Sequence, residues 1–259
     1  MLLAKAAPVP VYRSLARDLA AALDPVVFAR SAGIEPDGWQ ADVLRSPSRR
    51  MLLNCSRQSG KSTTTALLAL HTATYQAGSL ILLLSPSLRQ SAELFRTVAR
   101  QYAAAGAQVP STAESRLRLE LENGSRIISL PASEATIRGF AGVDLLIVDE
   151  AARVADDLYA SVRPMLATSN GRLIALSTPF GTRGWWYQAW RGDQDWKRVM
   201  VTAEQCSRIS AAFLAEEREN LGEWWYRQEY FAEFMDAESQ AFSRADIDAA
   251  FTKVVTWQL

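Results

Sequence analysis

Histidine is almost missing from this chain of 259 residues, with His71 the only one. That excludes histidine-based acid–base catalysis and any metal site built from several histidines. His71 itself reads as a packing or surface residue. Cysteine is nearly as scarce. Cys55 and Cys206 have neither metal-ligand spacing nor a disulfide framework, which fits a reduced, cytosolic compartment. No apolar run approaches the ~20 residues of a membrane span. The apolar start, residues 1–11, lacks the basic region and cleavage pattern of a signal peptide. Lysine occurs only at 5, 61, 197 and 253, so the basic side is nearly all arginine. Arginine suits bidentate phosphate contacts, although genome base composition gives the same bias. The formal net charge is zero, so no global basic field draws in nucleic acid. There is no internal repeat and no low-complexity segment.

What is present is concentrated in one short segment, Cys55-Ser56-Arg57-Gln58-Ser59-Gly60-Lys61-Ser62. It follows the apolar run Met51-Leu52-Leu53 and leads into a Thr/Ala/Leu-rich stretch, Thr63 to Ala69. Strand, glycine-containing loop and helix in that order form a phosphate-binding P-loop. Backbone N–H groups of Gln58, Ser59, Gly60 and Thr63 surround an anion at the helix N-terminus. Lys61 reaches the β- and γ-phosphates and the Ser62 hydroxyl ligates Mg²⁺. The first glycine of the usual pattern is replaced by Cys55.

A second segment lies 88 residues beyond Lys61. Leu145-Leu146-Ile147-Val148 is a strand buried on both faces, ending in Asp149-Glu150. Carboxylates at the C-terminal end of such a strand sit where α/β sheets bind ligands. Asp149 is placed to hold Mg²⁺ through water, and Glu150 to polarise an attacking water.

The rest of the chain alternates buried strands with helices. Val11 to Arg30 is helical with a break at Pro25, Glu35 to Gly38 is a turn, and Trp39 to Leu44 is a short helix. Strands are expected over 51–54, 80–84, 116–122, 126–130, 144–149, 171–177 and 198–202, with an Asn123-Gly124 hairpin turn. Helices are expected from Lys61 to about Gln76, from the Ser87 cap to about Ala105, and over 156–166 and 184–190. Residues 133–142 form a loop or short helix. The pattern is an α/β doubly wound, mostly parallel sheet. After it come two helices, 209–220 and 223–231, separated by Leu221-Gly222. The second carries Trp224, Trp225, Tyr226, Tyr230 and Phe231. Such aromatics make a local core in a small lid, the alternative being a stacking platform for nucleic acid. The division expected is 1–205 for the P-loop core with a helical extension and 206–259 for the lid and linker.

Several motifs now stand in fixed order: Trp39-Gln40, Ser56 to Ser62, Arg138-Gly139, Leu145 to Ala152, Leu176-Ser177-Thr178-Pro179, Arg227 to Tyr230 and Ala241-Phe242-Ser243. Over residues 36–245 this set resembles the ATPase domain of the large terminase subunit of tailed double-stranded DNA phages. The resemblance implies a P-loop ASCE-type, RecA-like fold with a small C-terminal helical lid. It makes Gln40 an adenine-reading residue and places Arg57 to touch the γ-phosphate in cis. It makes Arg138, twelve residues before Glu150, the arginine that reaches a neighbouring subunit's ATP. Ser177 and Thr178 become a coupling motif sensing the γ-phosphate, the plainer reading being a helix-capping turn. A non-glycine at position 55 is tolerated in that family. Nothing matches the acidic nuclease domain of full-length large terminases, so nuclease activity is not implied.

The implied function is Mg-dependent ATP hydrolysis driving double-stranded viral DNA into a procapsid. The implied partners are DNA, a portal protein, a small terminase subunit and further copies of the chain in a ring, with a monomer in isolation. The implied setting is the host cytoplasm, docked transiently on the procapsid, with no membrane. A helicase-like ATPase and a nucleotide-gated assembly module are the alternatives.

Overall fold

The computed structural model describes residues 11–133, 137 and 139–236. Arg138 and Ala241-Phe242-Ser243 lie outside the described residues. Among the described residues the strands are β1 (Arg50–Cys55), β2 (Leu80–Ser85), β3 (Ser111–Ser115), β4 (Arg118–Leu121), β5 (Arg126–Pro131), β6 (Leu145–Asp149), β7 (Arg172–Ser177) and β8 (Lys197–Val201). They form one sheet in the order β3-β4-β5-β2-β6-β7-β1-β8. From β5 to β8 every pairing is parallel; at the other edge β4 alone is reversed, pairing antiparallel with both β3 and β5. The Asn123-Gly124 turn joins β4 to β5, with Gly124 at φ 81°. This is the expected mostly parallel, doubly wound sheet.

Parallel strands need crossovers, and those crossovers cover both faces. Alternate residues of one strand therefore enter different cores. Met51, Leu53, Ile81, Leu83, Ile147 and Ile174 pack on one face with helices α2 (Pro25–Ser31), α4 (Lys61–Tyr75) and α5 (Leu88–Ala104). Leu52, Leu82, Leu146, Val148 and Ala175 pack on the other with α6 (Asp156–Val162) and α7 (Gly184–Arg191), which contributes Trp185 and Trp186. Each fully buried leucine or isoleucine contributes about 1.5–3 kcal/mol.

Local chemistry sets the helix ends. Asp24 caps α2, whose first residue is Pro25, so the expected break is a helix start after α1 (Val11–Leu23). Ser87 caps α5 by accepting from the Gln90 amide. Helix α6 gives way at Pro164 to a 3₁₀ turn, Arg163–Leu166, because proline lacks the N–H that would continue the α pattern. Residues 35–37 are an irregular lead-in rather than a turn, and Gly38 opens α3 (Gly38–Arg45). Helix α8 (Ala211–Tyr230) is interrupted at Gly222, whose φ 75° and ψ 161° are open to glycine and not to helix. Tyr226 and Tyr230 form a satellite core with Ala203 and Leu214, while Trp225 stays 45% exposed. Among the described residues no helix is long and apolar enough to cross a membrane.

Candidate nucleotide site at the sheet's C-terminal edge

Strand β7 lies between β1 and β6. The parallel register brings the C-terminal ends of all three to one edge, with Asn54 beside Ser177 and Asp149 beside Leu176. The loop after β1 closes through two left-handed residues, Gln58 at φ 59° and Gly60 at φ 93°. The Ser59 hydroxyl donates to the Ser56 carbonyl at 2.9 Å. At Gly60 a side chain has no room: a Cβ would lie 2.7 Å from Gln40 Nε2 and 3.3 Å from Arg208 Nη2. Helix α4 then starts at Lys61 and runs fifteen residues, so its unpaired N-terminal amides face the loop.

Lys61 is buried, and its ammonium reaches across the edge. Nζ lies 3.5 Å from Thr178 Oγ1 and 3.6 Å from Glu150 Oε1. Asp149 is buried as well. Burial, and then the neighbouring Glu150 charge, push its carboxyl up to about 6, against the pull of Lys61, the Glu150 amide and the Ser62 hydroxyl. Glu150 adopts φ 49°, an uncommon conformation for a residue with a side chain. It caps a 3₁₀ turn, Ala151–Arg153. The Ser177 hydroxyl ties β6 to β7, accepting from the Ala152 amide at 3.2 Å and donating to the Thr178 carbonyl at 2.7 Å. Cys55 ends β1 fully buried, and burial pushes its thiol up to about 12, so it stays protonated and unreactive.

The residues of the two motifs thus meet: Lys61, Ser62, Asp149, Glu150 and Thr178 share one small volume. Gln40 is also at the loop. Its Oε1 accepts from the Asp37 amide at 2.8 Å and its Nε2 faces Gly60. Arg57 points elsewhere. Its guanidinium pairs with the buried carboxylate of Glu229 in α8, and its amide donates to the Glu229 carbonyl at 3.0 Å. Thr63 follows Ser62 in the first turn of α4, where its N–H belongs to the free amide set.

Three residues have structural roles at the loop and strand end that the sequence did not assign. Arg208 donates to the Ser59 carbonyl at 3.2 Å and to Asp37 at 2.8 Å, so it braces the loop against the start of α3. Glu229 holds the same loop from the other side. Asn54, fully buried at the end of β1, donates to the Ala232 carbonyl at 2.7 Å and anchors the end of the lid. A polar residue in an otherwise apolar strand was the one signal available for it.

The groups fit an Mg-bound nucleotide. A left-handed glycine turn, free helix amides and a buried ammonium suit a polyphosphate. Among the described residues no group of three or more His, Cys, Asp or Glu could hold a metal by itself. A magnesium ion here would rest on Ser62, Asp149, water and phosphate oxygens, the donor set that ion prefers.

Comparison with known proteins agrees with this geometry. The family model for the N-terminal part of the T4likevirus-type terminase large subunit matches residues 52–249. A terminase large subunit of Thermus virus P23-45 is 24% identical over 258 residues, covering 85% of this chain and 53% of its own length. The chain spans about half the length of the curated relatives it matches. The solved ATPase domain of the Thermus phage P74-26 large terminase superposes with a TM-score of 0.70 at 24% identity, covering 80% of this chain and 97% of that one. The large terminase of a thermophilic bacteriophage, solved in complex with ADP, superposes with a TM-score of 0.62 at 9% identity, over 77% of this chain and 54% of that one.

Proposed function

The chain belongs to the family of T4likevirus-type terminase large-subunit N-terminal domains, and from that premise we propose that it hydrolyses Mg·ATP to drive double-stranded viral DNA into a procapsid. The observation that carries the reading is the meeting of the P-loop lysine with the acidic strand end: Lys61 Nζ stands 3.6 Å from Glu150 and 3.5 Å from Thr178. A large terminase of the same fold was solved in complex with ADP, which supports nucleotide binding by this chain.

Bound Mg·ATP supplies the phosphoanhydride that breaks and the cation that spreads its charge. The amides of Gln58, Ser59, Gly60 and Thr63 and the Lys61 ammonium hold the phosphates. Ser62 and Asp149 hold the cation. Glu150 orients the attacking water and takes its proton. Burial of Lys61 and Asp149 excludes bulk water and strengthens each charge's effect. Gln40, already fixed on the loop by the Asp37 amide, contacts the adenine. Arg57 reaches the γ-phosphate in cis once its pair with Glu229 opens. Ser177 and Thr178 bridge β6 and β7, so they sense the phosphate through Lys61 and pass its state to the strand end. Arg138 acts in trans on a neighbour's ATP within a ring, which forms when the chain docks with its portal and small-subunit partners. Residues 1–205 make the ATPase core and 206–259 the lid and linker.

The test is steady-state phosphate release with fluorescent-nucleotide binding in parallel. Glu150→Gln should keep binding Mg·nucleotide and lose roughly 10²–10⁴ in turnover. A Glu150→Gln protein that turns over at the wild-type rate would overturn the assignment.

A further inference from the structure

The edge of the sheet opposite the P-loop carries a second charged feature that the ATP chemistry does not use. The strands are parallel, so the starts of β1 and β8 lie about 17 Å from the P-loop end of β1. A cleft of about 640 Å³ opens there, lined by Arg49, Arg50, Arg163 and Lys197, with Asp195 its one acidic lining residue. Strand register pairs Met51 with Lys197, which sets Arg50 and Lys197 side by side at the mouth. A neighbouring cleft of about 550 Å³ shares Arg50 and Arg163, so the two run on as one groove past Tyr159. Arg163 stacks over the Tyr159 ring at 5.9 Å.

In a chain of zero net charge this clustering is specific. None of the four cations makes an ion pair among the described residues, although nine other Lys and Arg residues do. The groove is also built from behind. Arg172 turns inward and donates to the Ser46 and Ser48 carbonyls at 3.0 and 3.3 Å. The Leu173 amide donates to the Arg49 carbonyl at 2.8 Å. The backbone that presents Arg49 and Arg50 is therefore held in place.

We infer that this groove binds the phosphate backbone of duplex DNA. Three of its four cations are arginines, whose planar forks match phosphate oxygens. Its exposed lining is polar, with no large exposed apolar residue to form the core that a protein interface needs. Backbone contacts of this kind position DNA without reading sequence, as a transported substrate requires. The inference rests on the reading that DNA is what the protein moves.

The experiment is fluorescence anisotropy of a labelled duplex titrated with the full chain, without nucleotide, between about 50 and 200 mM salt. The variants are the fourfold Arg49→Gln, Arg50→Gln, Arg163→Gln, Lys197→Gln and the three Arg→Lys changes combined. Thermal melts check that each is folded, and basal ATPase is measured on the same samples. Each lost phosphate contact should lower the log–log salt slope by about one. Over that salt range wild type should therefore lose on the order of a hundredfold more affinity than the fourfold variant. The Arg→Lys protein should keep most of the slope, and basal ATPase should be unchanged in all. A folded fourfold variant with the wild-type slope overturns the inference, as does preferential binding of polyglutamate over duplex, which would make the partner an acidic protein. Wild type that hydrolyses ATP yet binds no duplex overturns the groove and leaves the ATPase reading standing. Charge-dependent duplex binding without ATPase does the reverse.

Discussion

Gly60→Ala isolates the geometry of the phosphate loop. At φ 93° any L-residue is strained, by roughly 1–2 kcal/mol. The new Cβ would also lie 2.7 Å from Gln40 Nε2, so Gln40 must move. Moving it breaks the hydrogen bond from the Asp37 amide to Gln40 Oε1, worth about 1 kcal/mol. The exposed Arg208 bridge to Asp37 and Ser59, 3.3 Å from the same Cβ, adds between zero and about 1 kcal/mol. The total is about 2–4 kcal/mol, or roughly 5–10 °C in Tm for a domain of this size. A double-mutant cycle separates the parts. In a Gln40→Ala background that clash partner is gone, and Gly60→Ala should cost only the backbone strain and whatever the Arg208 bridge adds. Denaturant unfolding of the four proteins should give a coupling of about 1 kcal/mol, the double variant losing less than the sum. Equal costs in the two backgrounds, or a total below about 0.5 kcal/mol, would refute the packing of Gln40 on a left-handed Gly60.

The remaining predictions concern charge and assembly. Burial pushes the Asp149 carboxyl up to about 6 from its ordinary 3.8, so the folded state holds the extra proton between those values. Stability from this group is full below the unfolded pKa and lost as pH rises through about 6, on the order of 3 kcal/mol by pH 7.5. Asp149→Asn should therefore be more stable than wild type at pH 7.5 without magnesium, with the gap closing near pH 4. A gap that ignores pH would contradict a buried charge. Magnesium-dependent nucleotide binding should rise with pH through the same window in wild type and vanish in the variant, as calorimetry would show. Arg138→Ala and Glu150→Gln should each be nearly inactive, and mixing them under ring-forming conditions should restore part of the phosphate release. No recovery in mixtures that sediment as rings would remove Arg138 from a role in trans.

The core of the fold was legible because its signals are contiguous. Four apolar residues before Asp149 need burial on both faces, and β6 has it. Asn123-Gly124 and Leu221-Gly222 announced a hairpin and a helix break that chain geometry demanded. Strand β3 was invisible: Ser111 to Ser115 lies exposed at the sheet edge, so no face imposes an apolar alternation. The order of the strands was likewise unreadable, since register and crossover depend on long-range packing. At the site, local motifs found Lys61, Ser62, Asp149 and Glu150. The bracing roles of Arg208 and Glu229 were not legible, because the two meet the loop from 149 and 172 residues away; Arg208 carries no local pattern, and Glu229 lies in the Arg227 to Tyr230 motif with nothing local to show what it holds. The direction of Arg57 toward Glu229 follows from that same distant contact.

The most direct test of the account is Lys61→Ala, assayed for nucleotide binding and phosphate release with magnesium present. The buried ammonium that faces Thr178 and Glu150 is the charge that holds the phosphates. The account predicts a folded protein in which nucleotide affinity falls sharply and hydrolysis is abolished. A folded Lys61→Ala protein with wild-type affinity and turnover would contradict it.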